Sequence, residues 1–242
     1  MAIEQENGRP WILLPGTLCT GAVFDPFLDA LGVPGPARHV IDLDSPQIED
    51  YPTRLAALSH GKAVICGFSL GAIVAAHMVD KIAAAECMFF GLNPRADDPA
   101  KRKGRLDLVA DVDRLGGAAA LAPRLGPLAG PDPVGGRACI LTMAEGAARH
   151  IHAQTRLALE RPGAISALER ARMPVTLLTG TLDAQAPSTL AQEAAKAAPL
   201  GRVVSLKGLG HYALVEDPVA CARAVAGHWR GQAVGTPRGA VG

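Results

Sequence analysis

Aromatic residues are scarce in this chain, 4% of 242, and charged residues make up only 19%, with a net charge of +1. The near-neutral balance lacks the basic excess of a general nucleic-acid binder, and so few rings argue against a substrate site built on stacking. Cysteines are few, odd in number and scattered: Cys19, Cys66, Cys87, Cys139 and Cys221, with no C-x-x-C pair. Neither a disulfide framework nor a thiolate zinc site follows. No apolar run reaches the ~18 residues that span a bilayer. The opening MAIEQENGRP has no basic start leading into an apolar run, so no secretory signal is expected. A reduced, soluble, cytoplasmic protein is the expectation. What the chain does have is apolar residues, 49% of the total. That is enough for one large domain, or one domain with an inserted part, to bury a core without staples.

Short apolar runs alternate with helix-favouring segments in the first part. Trp11 to Leu14 is a run closed by Pro15-Gly16; Val40 to Leu43 is another; Ala63 to Cys66 is a third, stopped by Gly67; Met88 to Phe90 ends at Gly91. Between them, Asp50 to Leu58 and the Ala-rich Leu70 to Ala85 read as helices. Runs without polar alternation suit strands covered on both faces. The pattern predicts an α/β fold, a mostly parallel central sheet flanked by helices.

Residues 95–172 break the alternation. No strand run is evident; apolar residues recur at helical spacing (Leu106, Val109, Ala110, then Leu115, Ala118), a Pro/Gly loop covers Gly126 to Gly136, and Cys139 to Ala148 and Ile151 to Leu159 read as further helices. This predicts an inserted helical lid over 95–172, between core segments 1–94 and 173–230. The lid carries a charge balance of +4 against −3 elsewhere, which suits solvated helix faces or a surface meeting an anionic substrate or acidic carrier. After it, Val175 to Leu178 and Val203 to Leu206 read as strands. Pro187 to Ala198 and the segment from Asp217-Pro218 to about Trp229 read as helices. The Gly-rich 231–242 is expected to be a flexible tail.

Gly67-Phe68-Ser69-Leu70-Gly71 is a G-x-S-x-G pentapeptide at a strand-to-helix junction. A serine at the apex of so sharp a turn needs neighbours without side chains, and the helix that follows aims N–H groups and its positive dipole end at the site. No G-K-[ST] follows, so a phosphate loop is not indicated. A serine hydroxyl needs a base. Among seven histidines, His211 in Gly208-Leu209-Gly210-His211 stands between the last strand and the last helix. The base in turn needs an acid. Asp183 follows the strand Val175–Leu178, where ligands collect in open α/β sheets; Asp97 and Asp98 are ranked below it. The order Ser69, Asp183, His211, with spacings of 114 and 28 residues, leaves room for the lid in the first gap. Oxyanion donors are expected at the N–H groups of Leu70 and Thr17. Leu18, Leu141, Met143, Leu157 and Tyr212 are expected to line an acyl pocket.

Over nearly its whole length the sequence resembles the α/β-hydrolase superfamily, in the stretches ILLPGTLCTGAVFDPFL, VICGFSLGAIVA, NPRADDPAKRKGR, PVTLLTGTLDAQAP and GLGHYALVEDP. It is similar to small, lidded, cofactor-free carboxylesterases, including carrier-protein methyl ester esterases. It departs from many members in having Leu14-Pro15-Gly16 where they have His-Gly, and Ala72 where a third glycine is common. The resemblance implies Ser69 as nucleophile, His211 as base, Asp183 as acid, and hydrolysis of a small ester with no metal or organic cofactor. It also implies a carrier-protein partner of acidic charge, docked on the lid through Arg102 and Arg105. Thioesterase, lactonase, perhydrolase or C–C hydrolase chemistry would use the same parts. A non-catalytic module binding an acyl ligand or a partner is the alternative of another class.

Overall fold

Apolar runs that carry no polar alternation can be satisfied only by cover on both faces, and four strands receive it. The computed structural model describes residues 8–234. Among these, β1 (Trp11–Leu14), β2 (Arg38–Val40), β3 (Val64–Phe68), β4 (Glu86–Phe90), β5 (Val175–Gly180) and β6 (Gly201–Leu206) form one sheet in the order β2-β1-β3-β4-β5-β6. Every pairing is parallel. Every residue of β1, β3, β4 and β5 is buried, whereas the edge strands β2 and β6 are partly exposed.

Side chains alternate across the strands and build two cores. Ile12, Leu14, Ile65, Phe89 and Leu177 face one way, against α2 (Tyr51–Ser59), α3 (Leu70–Ala76), α7 (Ile151–Glu160), α8 (Ile165–Leu168) and α9 (Ser188–Ala197). Trp11, Leu13, Cys66, Met88 and Phe90 face the other way, against α1 (Asp25–Leu31), α4 (Arg102–Leu115), α5 (Gly117–Leu121), α6 (Pro133–Ala147), α10 (Ala213–Glu216) and α11 (Pro218–Val234). Full burial of one such side chain contributes about 1.5–3 kcal/mol, so the two cores dominate the stability of the sheet. Helices α4 to α8 lie between β4 and β5 and form a helical insertion. Among the described residues, no helix is long and apolar enough to cross a membrane.

Several element boundaries differ from the sequence reading. The second strand is Arg38–Val40 rather than 40–43; Arg38 ties it to α1 through Asp25 and Asp29 and to the turn after α1 through the Val33 carbonyl. Gly67 does not stop β3, which runs on to Phe68. Helix α3 ends at Ala76 instead of Ala85; His77 turns its ring onto the Ile73 carbonyl at 2.7 Å and the chain leaves in tight turns. Helix α6 starts at Pro133, inside the expected loop, capped by Asp132 on the Gly135 N–H at 2.9 Å. Helix α11 continues to Val234, beyond the expected start of the tail at 231; residues 235–242 lie outside the described residues.

Candidate active site

Strand β3 delivers Ser69 to the carboxyl edge of the sheet and α3 begins immediately after it. Ser69 has φ 50° and ψ −115°, a conformation that costs a residue with a side chain about 1–3 kcal/mol. The surroundings hold it there: its N–H donates to the Phe90 carbonyl at 2.9 Å, and its carbonyl accepts from the Ile73 N–H at 3.0 Å. The two flanking glycines are required by close approach. A Cβ at Gly67 would lie 2.5 Å from Ala72 Cα, and one at Gly71 would run into the carbonyls of Leu14 and Pro15. Gly71 thus lets the loop after β1 lie across the start of α3.

The loop after β6 brings His211 over Ser69. His211 Nε2 is 3.0 Å from Ser69 Oγ, and Nδ1 is 2.9 Å from Asp183 Oδ2. Asp183 reaches the ring from the loop after β5 and is 5% exposed. Its other oxygen accepts the N–H groups of Gln185 and Ala186, both at 2.8 Å. Burial pushes the Asp183 carboxyl up, but the hydrogen bond and charge of His211 and these two N–H groups outweigh burial, and the net shift is below the ordinary carboxylate value. Asp183 therefore stays ionised beside the imidazole. Two groups that sequence reasoning missed support this pair. Gly91 (φ +61°) packs against it, since a Cβ there would lie 2.9 Å from His211 Cε1. Glu216, which is buried, accepts the Gly210 N–H and ties down the residue before the histidine.

Ser69 and His211 open onto a cavity of about 820 Å³ that Thr17, Leu18, Leu70, Tyr212 and Leu182 also line. Gly16 brings the β1 loop against the elbow; a Cβ there would be 3.2 Å from Ser69 Cβ. The N–H groups of Thr17 and Leu70 have no acceptor among the described residues, whereas the Leu18 N–H donates to Gln154 Oε1 at 2.9 Å. Leu18 itself has φ 53°. Leu141, Met143 and Leu157 do not line the cavity. Met143 and Leu157 point into the two cores, and Leu141 packs beside one of them. The insertion lines the cavity with other residues, among them Leu108, Leu121, Leu125, Leu128 and Ala158.

The other candidate acids serve elsewhere. Asp98 caps the turn at the Ala100 N–H, and Asp97 is clasped by Arg105 (Nε 3.0 Å, Nη2 2.6 Å) and Arg161 (3.0 Å). Nothing in the arrangement supports the expected docking of a carrier protein through Arg102 and Arg105. Arg105 pairs with Asp97 and lines the cavity, whereas Arg102 is exposed between Lys101 and Lys103. Nor do the cysteines supply a rival nucleophile: burial raises every thiol above its ordinary value, Cys19 and Cys221 to about 12.

A serine on a strained strand-to-helix bend, with an imidazole and a carboxylate delivered by later strands of a parallel sheet, has the layout of the α/β-hydrolase class. The chain belongs to the alpha/beta hydrolase family, whose model matches residues 7–224. Its fold is similar to that of a thermophilic esterase from Thermogutta terrifontis (22% identity, 93% of this chain and 90% of the other, TM-score 0.77). It is also similar to a bromoperoxidase from Bacillus anthracis (18%, 92% and 92%, 0.74) and an enol-lactonase from Burkholderia xenovorans LB400 (19%, 91% and 91%, 0.73). No protein of curated function matches the sequence.

Proposed function

We propose that the protein is a serine hydrolase that cleaves a carboxylic ester of a small substrate through an acyl-serine intermediate. The observation that carries the reading is the unbroken relay Ser69 Oγ, His211, Asp183 at 3.0 and 2.9 Å. In this reading His211 Nε2 takes the proton of Ser69 as Oγ attacks the ester carbonyl, and Asp183 holds the Nδ1–H tautomer and offsets the imidazolium charge. The oxyanion forms between the N–H groups of Leu70 and Thr17, with the start of α3 adding its positive end. His211 then protonates the departing alcohol, and afterwards deprotonates the water that releases the acyl group. All five cysteines are free thiols, which suits a reducing compartment such as the cytoplasm. The test is a series of p-nitrophenyl esters of increasing acyl length, with matched thioesters and lactones. Saturable turnover of esters is expected. Binding of an acyl ligand with no turnover of any member would make the protein a binding module instead.

The same reading gives Gln154 a positioning role. It is 1% exposed and reaches from the insertion to hold the Leu18 N–H, one residue beyond the Thr17 donor. Gln154→Leu leaves that buried N–H without a partner, at a cost of about 1–3 kcal/mol, and loosens the loop. The expected result is a fall of about tenfold in kcat with little change in KM, restored by Gln154→Glu, which keeps the acceptor. Steady-state kinetics on the three proteins checks it. A KM effect with kcat intact would mean that Gln154 shapes the pocket and not the donor.

A further inference from the structure

The cavity beside Ser69 is lined on the insertion side by Lys101, Arg105 and Arg161. One carboxylate answers these three cations: Asp97 lies between Arg105 and Arg161, and Lys101 has no ion pair among the described residues. Arg124 also lines the cavity but is committed to Asp111 and the Ala120 carbonyl. Glu216 is the carboxylate among the lining residues, and it is held by the Gly210 N–H in the loop of His211.

Arg161 is the informative member. It is 4% exposed. Its Nε–H donates to the Arg95 carbonyl at 3.0 Å, and Nη1 serves the Ala158 carbonyl at 2.9 Å and Asp97 Oδ1 at 3.0 Å. Nη2 has no partner among the described residues. A guanidinium offers five N–H donors, and Nη2 is not among the buried side-chain atoms left without a partner, so its unspent donors are open to solvent and free to take an acceptor. An ion pair serving only to anchor the insertion would need one arginine for Asp97. Two arginines, an open Nη2 and an unpaired ammonium make a wall with surplus positive charge, facing the space that substrate enters.

We infer that this wall binds a carboxylate carried by the substrate, so that the preferred esters are half-esters of dicarboxylic acids. The inference rests on the serine-esterase reading for its chemistry, and adds the substrate class. A planar carboxylate takes the Nη2 edge of Arg161 and the Lys101 ammonium as charge-assisted donors. The ester carbonyl then lies toward Ser69.

The test compares mono-p-nitrophenyl glutarate with p-nitrophenyl pentanoate, which has the same acyl chain length but no charge. The charged ester should show a kcat/KM about tenfold higher or more, expressed in KM, and the advantage should shrink as NaCl screens it. Lys101→Gln and Arg161→Gln should each lower the charged-to-neutral ratio several-fold; Lys101 is exposed, so its variant keeps the test open if the buried arginine is needed for folding. Calorimetry of free glutarate with the full chain reads the site without turnover, and its heat should be lost in Lys101→Gln. A ratio at or below one, or a ratio and a glutarate heat that Lys101→Gln leaves unchanged, overturns the inference. Glutarate binding without hydrolysis of either ester would sink the esterase reading and leave the carboxylate site standing.

Discussion

Ser69→Ala lowers kcat for any ester the protein turns over by about 10⁴- to 10⁶-fold. The loss is large because Oγ is the one atom that His211 Nε2 reaches at 3.0 Å toward the cavity, and the remaining parts can only bind and polarise the carbonyl. The fold should not notice the change. Alanine keeps a Cβ, so it inherits the same strained backbone at φ 50° and the same N–H contact to Phe90. Thermal unfolding of the two proteins should therefore nearly coincide, which separates a chemical loss from a structural one. A variant that is inactive because it is unfolded would show itself in that comparison.

Asp183→Asn is the second large effect, about 10⁴-fold in kcat. The amide oxygen can still accept the N–H groups of Gln185 and Ala186, so the loop after β5 keeps its shape. The amide nitrogen, however, presents hydrogens to His211 Nδ1. The ring must then carry its proton on Nε2, facing Ser69, and cannot take another. The same substitution has a pH signature in stability. The Asp183 carboxyl is raised by burial but lowered further by His211 and the two N–H groups, for a net folded value below 3.8. A depressed carboxylate contributes stability that is complete above its unfolded value and is lost as pH falls through the folded one. The stability difference between the native protein and Asp183→Asn should thus be constant above about pH 3.8 and shrink below it, in urea unfolding followed at several pH values.

Much of the site is legible in the chain because its chemistry depends on punctuation. Gly67 and Gly71 mark where backbones come too close for a Cβ, and that requirement is written as glycine. Asp183 follows the end of the buried strand β5 and His211 the end of the edge strand β6, so the parallel sheet gathers them at one edge. The helical insertion is harder. Periodicity shows that 95–172 is helical but not how each helix is rotated, so it points Leu141, Met143 and Leu157 at the cavity while the cores and their margins take them. The start of α6 could have been read: Asp132-Pro133 is the same cap and first-turn proline that marks Asp217-Pro218. The clasp of Asp97 by Arg105 and Arg161 joins residues 8 and 64 positions apart, and no local pattern announces it. Gly91 reads as a strand end, and only the packed histidine shows what its missing side chain makes room for.

Activation of Ser69 by His211 for attack on a carbonyl carbon is tested most directly by a fluorophosphonate probe followed by peptide mapping of the adduct. A single adduct on the peptide carrying Ser69, absent in Ser69→Ala and much slower in Asp183→Asn, is the result the geometry predicts. An adduct on another side chain, or equal labelling of the native protein and Ser69→Ala, contradicts it.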